Sequence, residues 1–275
     1  MAIDVKRVLV ADKIAAAGIE FLRQQPGLRV ECHNGLAEPD LCRLIADAHA
    51  VIVRSATTIT AGALDAAPAL LVIGRAGIGV DNIDVGRATE RGIVVLNTPD
   101  ANATTTAELT LAHILSLSRS LPQADRSLRA GEWKRSQFMC AELANKTLGI
   151  VGYGTIGRIV AAMARALRMR VIAHDPFVTP QAFEADGIEC MDLDALIAVA
   201  DYLTLHCPMN NKTRGLLNGE RLRSMKRGAR IINCARGGLV DESALHDLLA
   251  SGHLAGAALD VFEQEPPKDS PLLRL

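Results

Sequence analysis

The chain has 275 residues, of which 49% are hydrophobic and 22% charged, and its formal net charge is -1. That length allows one large or two ordinary domains with a substantial core. The absence of a basic stripe excludes a nucleic-acid partner, and no apolar run approaches the roughly 20 residues that a membrane helix needs. The N-terminus begins Met1-Ala2-Ile3-Asp4 and lacks a signal-peptide pattern. We therefore expect a cytoplasmic protein without a membrane partner.

The spacing of the cysteines narrows the class of protein further. The chain has six cysteines and no C-x-x-C pair. Scattered cysteines of this kind indicate reduced thiols rather than a disulfide framework or a zinc site, and we expect no metal. They are Cys32, Cys42, Cys140, Cys190, Cys207 and Cys234.

The first 98 residues alternate short apolar runs with helical segments, which predicts a parallel sheet covered on both faces. The predicted strands are Val8–Ala11, Leu28–Cys32, Ala50–Val53, Leu70–Ile73 and Ile93–Leu96. The predicted helices are Ile14–Gln25, Pro39–Ala48 and Ala61–Ala67.

Two strand ends in this half carry residues suited to an anion. Arg54 and Ser55 follow the third strand, and a Gly-rich stretch with Gly77 and Gly79 follows the fourth. An arginine offers a planar fork to a carboxylate or phosphate, and glycines expose backbone N–H groups. In open α/β sheets, ligands collect beyond such ends. A solvated arginine and a simple turn remain open as alternatives.

The middle of the chain breaks the alternation. Asn97-Thr98-Pro99 starts a crossing segment, and Thr104–Ser118 predicts a long apolar helix that links two domains, with one of its first threonines as N-cap. Residues 128–138 hold the only tryptophan. We expect either a surface arm or a loop with a half-buried Trp133.

The stretch from Thr147 to Asp175 has the order of a dinucleotide-binding unit. A buried apolar strand, Leu148–Val151, leads into Gly152, Gly154 and Gly157 in G-x-G-x-x-G spacing. A helix over Ile159–Leu167 and a second strand ending at Asp175 follow. The glycines suit a tight turn, a close approach to pyrophosphate and close packing of helix on sheet.

Asp175 indicates which dinucleotide is bound. An acid at the end of the second strand accepts hydrogen bonds from the ribose hydroxyls and repels a 2′-phosphate, so NAD is favoured over NADP. The alternative is an ordinary strand–helix turn with chance glycines.

Three later strands also end in polar residues: Tyr202–His206, a strand starting at Arg230 and one starting at Gly256.

Several motifs in fixed order carry a family resemblance. They are residues 74–84, Asn97-Thr98-Pro99, the dinucleotide unit, residues 233–242 and residues 258–266. Over its whole length the sequence closely resembles the D-isomer-specific 2-hydroxyacid dehydrogenases. The resemblance implies an α/β fold with two doubly wound parallel-sheet domains. Residues 1–98 would form a flavodoxin-like substrate-binding domain, incomplete because its C-terminal return segment is missing. Residues 99–275 would form a Rossmann NAD-binding domain with the inter-domain helix at its start.

The resemblance also implies roles for single residues. The catalytic ones are Arg236, which would bind the substrate carboxylate and polarise its C2 oxygen, and Glu265, which would orient a catalytic histidine. The NAD contacts would be Gly152, Gly154, Thr155, Ile156, Gly157, Asp175, Cys207, Cys234, Ala235, Arg236, Asp260 and, near the nicotinamide end, Ile78. The substrate's acid groups would be held by Arg54, Ser55, Gly77, Gly79 and Arg236.

Two departures from the family pattern stand out. A threonine often occupies the position of Ile78, so one polar contact is lost. The family's general base is a histidine roughly 20 residues beyond the position of Glu265. The sequence ends at Leu275, before that position is reached. We therefore expect a C-terminally truncated, nearly inactive chain that still binds NADH. His206 ends a strand in this domain, and we interpret it as structural rather than as a replacement base.

The resemblance implies oxidation of a D-2-hydroxy acid by NAD in a homodimer or homotetramer. A phosphorylated substrate such as 3-phosphoglycerate is favoured by Arg54 and by the pair Lys134 and Arg135, which would add positive charge from a partner subunit. Glyoxylate, hydroxypyruvate and D-lactate remain alternatives, as does an NAD(H)-binding protein without catalysis. A methyltransferase Rossmann domain is a weaker alternative.

Overall fold

The computed structural model describes residues 5–275. The chain forms two compact units, the first ending at Asn102 and the second beginning at Ala103. Each unit contains one parallel sheet, and helices alternate with the strands along the chain. The predicted α/β class with two parallel sheets is confirmed.

The first unit has a five-stranded sheet in the order β2-β1-β3-β4-β5, which is the flavodoxin-like order. Its core lies under the central strands, where Leu9, Val51 and Ile73 are fully buried. The strands are β1 (Lys6–Val10), β2 (Leu28–Cys32), β3 (Ala50–Val53), β4 (Val72–Arg75) and β5 (Val94–Asn97). The helices are α1 (Ala16–Arg23), α2 (Glu38–Ile45), α3 (Ala61–Asp65) and α4 (Val85–Glu90).

Most predicted elements differ from the observed ones by one to three residues at their ends, and two differences have a clear physical cause. The fourth strand begins at Val72, since Leu70 closes a turn by bonding the carbonyl of Ala67. Helix α4 was not predicted, because six residues are too few to show a helical period. Its start is nevertheless capped by Asp84, whose carboxylate accepts a 2.8 Å hydrogen bond from the Arg87 N–H.

The second unit has a six-stranded sheet in the order β11-β10-β9-β6-β7-β8. Counted within the unit, this is the Rossmann order 3-2-1-4-5-6. The strands are β6 (Thr147–Val151), β7 (Arg170–His174), β8 (Glu189–Cys190), β9 (Tyr202–Leu205), β10 (Arg230–Asn233) and β11 (Gly256–Leu259). All residues of β6 and β9 are buried, as expected for central strands covered on both faces.

Seven α-helices and two 3-10 helices accompany this sheet. The α-helices are α5 (Ala103–Arg119), α6 (Leu121–Arg129), α7 (Thr155–Ala166), α8 (Pro180–Ala185), α9 (Leu193–Val199), α10 (Gly219–Ser224) and α11 (Glu242–Ala250), and the 3-10 helices are Arg135–Phe138 and Pro271–Arg274. No helix in the described part of the chain combines the length and the apolar character needed to cross a membrane.

Two local expectations about this unit are wrong, and of the two alternatives for Trp133 the half-buried one is excluded. Helix α5 begins at Ala103, so the predicted N-cap threonines lie inside its first turn. Helix α7 begins at Thr155 rather than at Ile159, because it starts directly after Gly154. Trp133 is 72% exposed rather than half-buried; its ring is instead covered on one face by the Arg135 guanidinium, 4.7 Å from the ring centroid.

Candidate functional site

The turn after β6 is shaped by a close approach between two strand ends. Gly152 has a φ of 96°, and a Cβ there would lie 2.6 Å from the carbonyl carbon of His206, just after β9. A Cβ at Gly157 would collide with the carbonyl oxygen of Gly152. Side chains are therefore excluded at both positions, and the first turn of α7 packs directly on the end of β6.

The middle glycine of the motif differs from the other two. Gly154 is the N-cap of α7, and a Cβ built there would meet nothing within 4 Å. No side chain caps this helix, so its first N–H groups and the positive end of its dipole remain available to an anion. The space beside Gly154 suits the pyrophosphate of a dinucleotide.

Asp175 is held next to this turn. One carboxylate oxygen accepts a 2.8 Å hydrogen bond from the Tyr153 N–H, and the other accepts a 2.9 Å bond from the Phe177 N–H. Asp175 therefore connects the Gly-rich turn to the end of β7. This is the place at which a Rossmann acid meets the ribose, so the residues of the turn fit NAD.

The two predicted NAD-contact cysteines are neutral thiols. Burial raises the pKa of both Cys207 and Cys234 to about 11. Thiols in that state are poor nucleophiles at neutral pH. Their predicted contacts with NAD would therefore depend on shape and apolar packing rather than on covalent chemistry.

His206 lies between the Gly-rich turn and Cys207. Its Nε2 is 3.0 Å from the Thr204 hydroxyl, and burial lowers the pKa of the ring to about 4. The ring is therefore neutral at pH 7. Both features agree with the interpretation of His206 as a structural residue.

The loop after β10 carries Arg236 and is held by a buried amide. Asn233 is only 2% exposed. Its side-chain nitrogen donates to the Arg236 carbonyl at 2.8 Å, and its side-chain oxygen accepts from the Ala235 N–H at 3.0 Å. Asn233 thus fixes the backbone on both sides of the Ala235–Arg236 peptide.

The segment that carries Glu265 contacts this loop. A Cβ at Gly237 would collide with the Phe262 carbonyl, so only glycine permits the contact. Glu265 itself is exposed and accepts a 3.1 Å hydrogen bond from the Phe262 N–H. The loop bearing Arg236 and the segment bearing Glu265 are therefore packed together.

Glu242, the first residue of α11, fixes the same segment at two points. Its carboxylate accepts from the Glu263 N–H at 2.7 Å and from the Ser270 hydroxyl at 2.8 Å. These two contacts stand on either side of Glu265 in the sequence. Asp260, another predicted NAD contact in this unit, is exposed directly after β11.

The first unit brings its own predicted residues together. Val53 and Arg75 are paired in adjacent strands, so the loops with Arg54 and with Gly77 leave the sheet side by side. The Arg54 and Ser55 side chains are exposed. Ile78 follows β4, and its carbonyl accepts a 2.7 Å bond from the Asn97 amide. Its contact with NAD stays a prediction.

Sequence reasoning missed the polar residues that hold these loops: Asp12, Thr57, Asn82, Asn233 and Glu242. An acid or amide at or shortly after the end of a buried strand is a usable signal for two of them. Asp12 comes shortly after β1, and Asn233 is the last residue of β10. Among residues 5–275, no group of three or more acids, histidines or cysteines could hold a metal.

Comparison with known proteins gives a consistent result for the second unit. Residues 111–275 match the family model described as D-isomer specific 2-hydroxyacid dehydrogenase, NAD binding domain. The second unit is an NAD-binding domain, which confirms the predicted cofactor. D-3-phosphoglycerate dehydrogenase from Archaeoglobus fulgidus is 45% identical over 270 residues, which is 98% of this chain and 51% of that protein.

Other relatives extend this similarity to both units. The human D-3-phosphoglycerate dehydrogenase is 43% identical over 98% of this chain and 50% of its own length. The chain thus spans about half the length of these curated relatives. A glyoxylate reductase from Paecilomyes thermophila has a TM-score of 0.90 at 33% identity, with 98% of this chain and 86% of that chain covered. D-lactate dehydrogenase from Aquifex aeolicus, solved with NAD and lactic acid, has a TM-score of 0.85 at 28% identity, covering 94% and 78%.

Proposed function

Because the chain belongs to the D-isomer-specific 2-hydroxyacid dehydrogenase family, we propose that the protein oxidises D-3-phosphoglycerate to 3-phosphohydroxypyruvate with NAD. The observation that carries the proposal is the contact between the Arg236 loop and the backbone of Phe262, three residues before Glu265. The identity of 43–46% to D-3-phosphoglycerate dehydrogenases supports this substrate.

Each side chain has a defined task in the proposed reaction. Arg236 binds the substrate carboxylate and stabilises negative charge on the C2 oxygen. Glu265 holds the imidazole of the general base and favours the imidazolium that forms when it takes the hydroxyl proton. Arg54 and Ser55 bind the second acid group. NAD, when bound, accepts the hydride from C2.

In this proposal none of the histidines of this chain is the general base, so we expect the 275-residue chain to bind NADH but to turn over slowly. Arg236→Gln tests the assignment. We expect it to lower turnover about 10²- to 10³-fold, while NADH affinity, measured by the fluorescence of the bound nicotinamide, stays close to that of the parent. A near-normal turnover rate would remove Arg236 from the mechanism.

A second candidate, reduction of glyoxylate or hydroxypyruvate, is favoured by the similarity to the glyoxylate reductase. The discriminating experiment compares kcat/KM for glycerate and for 3-phosphoglycerate. A gain from the phosphate group supports the first proposal, and no gain supports the second. In a protein that carries the general base, NADH binding without turnover of either acid would instead support the function of an NAD(H)-binding protein.

We also propose that the protein is a homodimer or homotetramer, as first expected. Large apolar side chains on and beside α5 and α6 support this: Leu109, Leu115, Leu121 and Leu128 are 37–59% exposed. Exposed patches of this kind mark interaction sites. Light scattering after size-exclusion chromatography measures the oligomeric state, and a monomer at all concentrations would reject the proposal.

A further inference from the structure

We propose that Asp12, Thr57 and Asn82 are positioning residues that hold residues 54–57, here called the 54–57 loop, in one anion-binding conformation. The inference rests on the proposed function, because it takes Arg54 and Ser55 of this loop as contacts of an acid group of the substrate. Asp12 and Asn82 bind the backbone of the loop, and the Thr57 hydroxyl contacts the Asp12 carboxylate, so none of the three needs to contact the substrate.

The location of Asp12 is the first argument. Asp12 comes shortly after β1, and the 54–57 loop follows β3, which pairs with β1 in the sheet. Strand β2 lies on the far side of β1 and β4 on the far side of β3, so the connections diverge between these two strands. Such a topological switch point is where open α/β sheets bind ligands.

The second argument is the set of donors that converge on Asp12, which is only 4% exposed. One carboxylate oxygen accepts from the Arg54 N–H at 2.5 Å and from the Thr57 N–H at 3.2 Å, and the other is 2.8 Å from the Thr57 hydroxyl. A buried carboxylate needs such donors to offset its desolvation. Asp12 thereby ties down both ends of the loop.

Asn82 fixes the same two residues from their carbonyl side. Its side-chain nitrogen donates to the Arg54 carbonyl at 2.7 Å and to the Thr57 carbonyl at 2.6 Å. The amide group has two N–H donors, one for each carbonyl. The N–H and C=O groups of Arg54 and Thr57 are thus all held, while the Arg54 and Ser55 side chains remain exposed.

These contacts reduce the cost of binding. A loop that is already fixed loses little conformational entropy when an anion binds, and its arginine is aimed before the ligand arrives. Asn82 lies in the segment after β4 that also carries Gly77 and Gly79. The hydrogen bonds therefore join the ends of β1, β3 and β4 into one rigid anion-binding edge.

The test compares variants that differ in hydrogen bonding but little in shape. Asp12→Ala removes every acceptor. Asp12→Asn keeps one oxygen for the two N–H groups, and its NH₂ can donate to the Thr57 hydroxyl, which then donates to the Ala11 carbonyl 3.1 Å away. Ile73→Val, a change in the core of the same unit, serves as the control for general destabilisation.

The affinity for 3-phosphoglycerate is measured by titration calorimetry on the chain saturated with NADH. We expect Asp12→Ala to weaken binding about tenfold, equivalent to about 1.4 kcal/mol. Asp12→Asn and Ile73→Val should stay within about twofold of the parent. In the Arg54→Ala background, Asp12→Ala should add less than about twofold, because its effect acts through Arg54. Equal losses in both backgrounds would overturn the proposal.

Amide hydrogen exchange separates this inference from the proposed function. Asp12→Ala should speed exchange at the N–H groups of Arg54 and Thr57, and Ile73→Val should not. If the parent fails to bind 3-phosphoglycerate, or Arg54→Ala leaves affinity unchanged, the proposed function fails while exchange still tests the loop. Unchanged exchange in Asp12→Ala would show that Asp12 does not hold the loop.

Discussion

Lowering the pH should destabilise the second unit through His206. Its Nδ1 is buried without a hydrogen-bond partner in the described part of the chain, and burial lowers the pKa of the ring to about 4 from the ordinary 6.5. The folded state therefore resists protonation that the unfolded state accepts. The stability that depends on a neutral ring is complete above pH 6.5 and is lost as the pH falls toward 4.

The size of the effect follows from the two pKa values. A difference of one pKa unit corresponds to about 1.4 kcal/mol, so the full loss is about 3 kcal/mol. Between pH 7 and pH 5, the difference in proton uptake between the folded and unfolded states lowers the free energy of unfolding by about 2 kcal/mol. This is a large part of the free energy of unfolding of a typical domain, about 5–15 kcal/mol.

The assay must follow the second unit alone, because a chain with two units need not unfold in one step. Both tyrosines, Tyr153 and Tyr202, belong to this unit and are buried. Near-ultraviolet circular dichroism of these side chains during urea unfolding gives the free energy of unfolding at each pH.

The comparison of two variants isolates the contribution of His206. His206→Gln cannot titrate in this range and should lose about 2 kcal/mol less than the parent between pH 7 and pH 5. His246→Gln, on the partly exposed side of α11, should keep the parent's dependence. If the parent and His206→Gln lose the same free energy, the argument from the buried ring is refuted.

Three further predictions concern the second unit. Gly154→Ala should keep the melting temperature within a few degrees but weaken NADH binding at least tenfold in fluorescence titrations, because the new methyl group occupies the space of the pyrophosphate. Asp175→Ala should weaken NADH binding and narrow the preference for NADH over NADPH, measured in the same titrations. Ser118→Ala should cost about 1–3 kcal/mol in urea unfolding, because it leaves the buried Tyr202 hydroxyl, 2.9 Å from the Ser118 oxygen, unpaired; adding Tyr202→Phe should recover part of that loss.

The buried strands could be predicted because each is a short apolar run. Strand β6 is predicted from four residues, Leu148–Val151, and the structure adds only Thr147, which is also buried. Strand order follows from general rules for parallel sheets once the strands are known. The short helix α4 shows no period, and only its Asp84 cap marks its start.

The candidate site was predictable only where the motif itself meets the ligand. The glycines and Asp175 form one local pattern, so their roles can be inferred from spacing, whereas the role of Arg236 is implied by the resemblance to the family. The position of Asp12 shortly after β1 marks it as a candidate, but spacing does not reveal its role, because its partners lie 42 and 45 residues away along the chain. A hydrogen bond between two strand ends appears only when the register of the sheet is known.

In the proposed function, both units separate the arginine that faces the ligand from the residue that fixes its backbone. Arg236 and Arg54 carry charge on exposed or partly exposed side chains, whereas Asn233 and Asp12, which hold their backbones, are 2% and 4% exposed. A buried acceptor with several donors has one geometry, whereas a long exposed side chain has many rotamers. We therefore expect the direction of each arginine to depend on the sheet beneath it, and variants of the buried residues to alter ligand affinity without removing any ligand contact.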